Sequence, residues 1–121
     1  MDDVGGGRLR DGSLAPSVGE HTHVVATTHA FTVEQVLSGR VDVPVGYDQD
    51  HDEWVVVLDG GAVVEVDGAE RMLGRGDWLL LPARVPHRLL RTDAGTSWLA
   101  VRGAPSAAPH DLDRPGEGGP R

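Results

Sequence analysis

The chain has no cysteine among its 121 residues. That excludes disulfides and thiolate metal ligands and fits a reducing compartment. Positive charge is also in short supply: 11 Lys and Arg stand against 19 Asp and Glu, a net charge of -8 with no basic stripe, so a nucleic-acid partner is not expected. No apolar run approaches the roughly 18 residues needed to span a bilayer, and the N-terminus shows no charged-then-apolar leader. A cytoplasmic protein with no membrane partner is therefore expected. Large apolar side chains are few in residues 1–20 and nearly missing from 103–121. Segments that bury so little do not offset the entropy of being ordered, so both read as tails, flexible at the N-terminus and disordered at the C-terminus.

What remains, residues 21–102, is a single domain close to the size at which one hydrophobic core is marginal. Closing a sheet into a barrel helps such a core, and so does burying a face against a second copy, so a homodimer is expected. No window carries a convincing helical period. Short β-branched and apolar runs are read as strands over 30–38, 53–58, 62–66, 70–73, 78–81, 87–91 and 97–102, with 21–27 as a further candidate. Turn signals separate them: Asp59-Gly60-Gly61, Asp67-Gly68 and Gly74-Arg75-Gly76-Asp77. Many short strands with Gly and Pro turns indicate an all-β sandwich or barrel.

The stretch Tyr47–Gly60 (YDQDHDEWVVVLDG) holds the chemistry. Read as an extended strand with period two, it places Tyr47, Gln49, His51, Glu53, Val55 and Val57 on one face and Asp48, Asp50 and Asp52 on the other. A face that is polar at one end and apolar at the other suits the mouth of a small barrel.

Two segments resemble the cupins. The first cupin motif, G(x)5-H-x-H-(x)3,4-E-(x)6-G, is matched in its second half by Glu53 and Gly60. The second, G(x)5-P-x-G-(x)2-H-(x)3-N, is matched by Gly76, Pro82 and His87, with Arg84 at the second glycine and Arg91 at the asparagine. The resemblance covers roughly residues 30–102 and implies a double-stranded β-helix, or jelly-roll, barrel in one domain. It also implies a metal set of three histidines and one glutamate, from which this chain departs: the first-motif histidine positions hold Tyr47 and Gln49.

His51, Glu53 and His87 form a substitute set, two imidazoles and a carboxylate, with Gln49 as an auxiliary oxygen donor. That donor set suits a divalent transition metal (Fe, Mn, Ni or Zn) with open positions. Cα atoms two apart on a strand lie about 7 Å from each other, tolerable for two ligands of one ion. A bulge before Glu53 would turn His51 outward. A direct His87–Glu53 hydrogen bond would instead satisfy both groups without metal. Arg91 shares a face with His87 and Leu89 by period two, so it is either a partner for Glu53 or a substrate carboxylate, or an exposed strand-end arginine. Tyr47 and Arg91 are the candidate substrate-orienting, catalytic residues. Trp54, Trp78 and Trp98 are packing, dimer-face or pocket-wall residues. His21 and His23 share a face upstream of the barrel and read as surface residues.

Two functions follow. One is a small non-haem metal enzyme of dioxygenase, isomerase or lyase type acting on a small polar molecule. The other is a metal-free module that binds a small ligand without catalysis.

Overall fold

The computed structural model of the chain describes residues 4–103. Strands alternate with tight turns through most of it: β1 (Glu20–Thr27), β2 (Phe31–Ser38), β3 (Val45–Tyr47), β4 (Glu53–Asp59), β5 (Gly61–Val66), β6 (Ala69–Gly74), β7 (Trp78–Leu81), β8 (His87–Thr92) and β9 (Thr96–Gly103). They form two antiparallel sheets, one ordered β1-β2-β9-β4-β7 and the other β3-β8-β5-β6. This is the expected all-β jelly roll. Among the described residues no helix is long and apolar enough to cross a membrane.

The turn chemistry explains the hairpins. Asp67 and Gly68 both take positive φ, 53° and 83°, between the paired Val66 and Ala69. A two-residue loop with both residues left-handed has the twist that matches its flanking strands. At the β4–β5 turn Gly60 has φ 90°, and a Cβ there would meet Thr96 Cα at 2.7 Å. Only glycine fits.

Period-two alternation then fills the space between the sheets. Val55 and Val57 of β4, with their neighbours Ala100 and Trp98 on β9, face Val64 of β5 and Leu89 of β8, all 9 % exposed or less. Each valine and leucine among them contributes roughly 1.5–3 kcal/mol by leaving water. Trp98 lies within this core and donates its indole N–H to Ser38 Oγ at 2.9 Å. Trp54 and Trp78 lie on the outside, ring centroids 6.1 Å apart, with Trp78 58 % exposed.

Two features differ from the sequence reading. Residues 47–58 are not one strand. β3 ends at Tyr47, which pairs with His87 in the four-stranded sheet, and β4 begins at Glu53, which pairs with Leu81 and Arg102 in the other. Residues 48–52 therefore cross between sheets and belong to no named strand. The connector is pinned instead by the loop before β8. Arg84 N–H donates to Gln49 O (2.7 Å) and Ala83 N–H to Asp52 Oδ1 (2.8 Å).

The second difference is in β8. Val63 pairs with Arg91 but Val64 with Leu89, an irregularity that inserts Leu90 as an extra residue. The bulge reverses the face beyond it: Leu89 and Thr92 are buried, and Arg91 is exposed. Arg91 does not point inward as period two implied.

The segment expected as an N-terminal tail makes specific contacts with the barrel. Arg10 N–H donates to Gln35 Oε1 and Gln35 Nε2 donates to Arg10 O, both at 2.9 Å, while Arg40 N–H donates to Ser17 O. These bonds, with a third from Gln35 Nε2 to Ser97 Oγ, satisfy a side chain only 1 % exposed. Residues 104–121, nearly all of the expected C-terminal tail, lie outside the described residues.

Candidate functional site

A cavity of about 200 Å³ opens between the sheets. Its inner wall is apolar, lined by Val55, Val64, Leu81, Leu89, Trp98 and Ala100. Its polar groups come from four places: Tyr47 on β3, Gln49 in the connector, Glu53 on β4 and His87 on β8. Glu20 of β1 and Glu34 of β2 complete the rim.

The cross-strand pair Tyr47–His87 stacks, ring centroids 5.3 Å apart and 19° from parallel. His87 is 8 % exposed, and its Nδ1 lies 3.3 Å from Val85 O. A carbonyl only accepts, so Nδ1 carries the proton, and in the neutral ring Nε2 keeps its lone pair. No hydrogen bond engages that Nε2 among the described residues.

Glu53 is half-buried, and burial pushes its carboxyl above the ordinary carboxylate range. The His87 and His51 imidazoles and the Gln49 amide act in the opposite direction, while Glu34 adds to the rise. No Glu53–His87 hydrogen bond forms. Arg102, opposite Glu53 in register, bonds Glu34 Oε2 through Nη2 at 3.2 Å. Glu20 Oε2 accepts from Ser38 Oγ at 2.6 Å, so the Trp98 indole and the Ser38 hydroxyl form a short chain that holds this carboxylate. Burial, and then the charge of Glu20, push the Tyr47 phenol up, so at neutral pH it is a donor.

Of the residues singled out from sequence, Tyr47, Gln49, Glu53 and His87 share the cavity, whereas His51 and Arg91 do not line it. His51 has a side chain 14 % exposed, its Nδ1 bonded to Asp50 Oδ1 at 3.0 Å and its Nε2 buried without a partner. Arg91 lines a separate groove with Asp77 and Asp93. Among the described residues no three His, Asp or Glu side chains are grouped to hold a metal ion. The cavity presents one imidazole, His87, and the carboxylates of Glu53, Glu20 and Glu34, the last two engaged by Ser38 and Arg102, and these groups do not make a ready three-ligand transition-metal site.

Glu20 and Glu34 were missed in sequence. Glu34 was legible: Glu34-x-Val36 repeats the carboxylate-then-valine spacing seen in Glu53-x-Val55. Glu20 fell just outside the expected strand, in the segment read as tail.

A sequence profile of the cupin domain matches residues 32–102. The chain belongs to the cupin family. Among solved structures, a cupin provisionally named a mannose-6-phosphate isomerase, from Ralstonia eutropha JMP134, is 33 % identical with a TM-score of 0.69, covering 81 % of this chain and 99 % of that one. KdgF from Halomonas sp. is 21 % identical (TM-score 0.62; 78 % and 85 % covered). The cupin domain of an XRE family transcriptional regulator from Enterobacter cloacae is 15 % identical (0.58; 73 % and 99 %). The latter two share the fold. No curated protein matches the chain.

The structure explains two motif positions of this cupin. Gly76 takes φ 87° and donates its N–H to Val57 O at 2.7 Å. Arg84, where the motif carries glycine, still adopts the left-handed φ of 65° that glycine would take.

Proposed function

We propose that this cupin binds a small polar molecule directly in its barrel cavity, with Tyr47, Gln49, Glu53 and His87 as the recognising groups. One observation carries the reading: a histidine with a free Nε2 and a carboxylate that lacks a cation of its own share a small, apolar-walled space. Buried polar groups of that kind are stabilised by a ligand that satisfies them. The relative named as a mannose-6-phosphate isomerase puts small hydroxylated molecules among the candidates. Arg91 has no part in the proposal, because its side chain lies away from the cavity.

A second reading has one specific observation behind it. The Nε2 of His51 is buried without a partner, and a divalent metal held by His51, Glu53 and His87 would satisfy it. Metal analysis separates the two. Direct binding predicts less than stoichiometric transition metal after reconstitution, and no fall in Tm on chelation. Stoichiometric metal that is lost in His87→Ala would reject direct binding.

The proposal also includes a homodimer. Trp78, Leu80 and Met72, on the adjoining edges of the two sheets, are 58 %, 58 % and 78 % exposed and form an apolar face that a second copy would cover.

A further inference from the structure

The hydrogen-bonding character of the cavity is one-sided. Its polar atoms are mainly acceptors: the carboxylates of Glu20, Glu34 and Glu53, the free Nε2 of His87 and the amide oxygen of Gln49. The donors are Tyr47 O–H, the Gln49 amino group and the Thr22 hydroxyl, and the last also accepts. Neither lysine nor arginine lines it. The nearby guanidinium, Arg102, is bonded to Glu34 and offsets one of three negative charges. Asp48, Asp50 and Asp52 are exposed on the adjoining connector and add to the negative potential at the mouth. Two stacked or wall-forming rings, Tyr47 and Trp98, present aromatic surface to the same space.

An acceptor-rich, negatively charged site with aromatic walls complements a group rich in donors, positive, and small. An ammonium group has three donors, no acceptor and one positive charge, and it is attracted to aromatic faces. A phosphate or carboxylate has the opposite character and would meet two uncompensated carboxylates. Resting on the reading of the cavity as a direct binding site, we propose that its ligand class is a small organic cation bearing an amine, and that it rejects phosphorylated and carboxylated molecules. The ammonium group occupies the space between Glu53, Glu20 and His87, where it supplies the missing counter-charge to Glu53 and a donor to His87 Nε2. The apolar inner wall takes the carbon skeleton.

Three hexoses of one shape but different charge test this: glucosamine, glucose and glucose 6-phosphate, titrated calorimetrically into the full-length protein, with choline as a non-sugar cation. Glucosamine and choline are expected to bind roughly tenfold or more tighter than glucose, with affinity that falls as salt rises, and glucose 6-phosphate is expected not to bind. Glu20→Gln and Glu53→Gln, each checked for a native circular dichroism spectrum, are expected to weaken the two cations several-fold and to weaken glucose by a smaller factor. Equal binding of glucose and glucosamine, or tighter binding of glucose 6-phosphate, overturns the cation class while direct binding stands. Failure of both cations to bind also overturns it. Unchanged cation binding in both variants places the ligand elsewhere and overturns it as well. Stoichiometric Zn(II) or Mn(II) binding abolished by His87→Ala would reject the direct-binding reading itself.

Discussion

Glu53 carries most of the consequence at the scale of single residues. Its carboxyl is pushed up chiefly by burial, so the folded protein holds this proton more tightly than the unfolded chain does. Its contribution to stability is therefore full below the ordinary carboxylate pKa. It is lost as pH rises through that value to the raised one. Glu53→Gln is neutral throughout, and its Tm at pH 7 is expected to exceed that of the parent by a few degrees. The difference should shrink towards pH 4. Thermal unfolding followed by circular dichroism across that range checks it, and a Glu53→Gln protein less stable than the parent at pH 7 would contradict it. The trade of stability for a poised carboxylate is common at binding sites. Glu53 and His87 were legible as cavity residues because each occupies a motif position at the polar end of a strand. His51 was placed by alternation on the same face as Glu53 but does not line the cavity, since alternation says nothing once the chain leaves a ladder.

Among the elements, the 48–52 connector and the 82–86 loop act as a unit. The first carries Gln49 into the cavity and the second leads into His87, and their backbone contacts couple the two placements. Arg84 sits at the centre of this contact with φ 65°. A left-handed residue with a Cβ costs about 1–2 kcal/mol, while glycine costs roughly 0.5–1 kcal/mol in chain entropy. The ion pair that Arg84 makes with Asp48, at 3.6 Å between exposed side chains, is worth little. Arg84→Gly is expected to stabilise the fold by about 0.5–1 kcal/mol, measured by urea denaturation. A loss of stability would show that the arginine side chain does more than fill the turn. Neither the crossing of sheets nor the β8 bulge was legible, because both depend on which strands become neighbours. Local composition there, aspartates in one case and Leu89-Leu90 in the other, is compatible with a continuous strand.

For the whole molecule, the small core and the exposed Trp78–Leu80–Met72 face are the basis of the proposed dimer. Light scattering is expected to give twice the 12.8 kDa chain mass, and Trp78→Glu combined with Leu80→Glu is expected to give a monomer. A parent protein that stays monomeric at high micromolar concentration would rule the dimer out. The sequence alone determined the fold class, most strand positions and four of the cavity's polar groups, Tyr47, Gln49, Glu53 and His87. Alternation, turn residues and motif spacing are local properties, and each is written directly in residue order. The tertiary structure decided what lies across the cavity from them. It brought Glu20 and Glu34 from the first two strands to the mouth, turned Arg91 out through a bulge, and left His51 beside the cavity. Those outcomes depend on strand pairing between residues far apart in the chain, where a shift of one residue reverses every face.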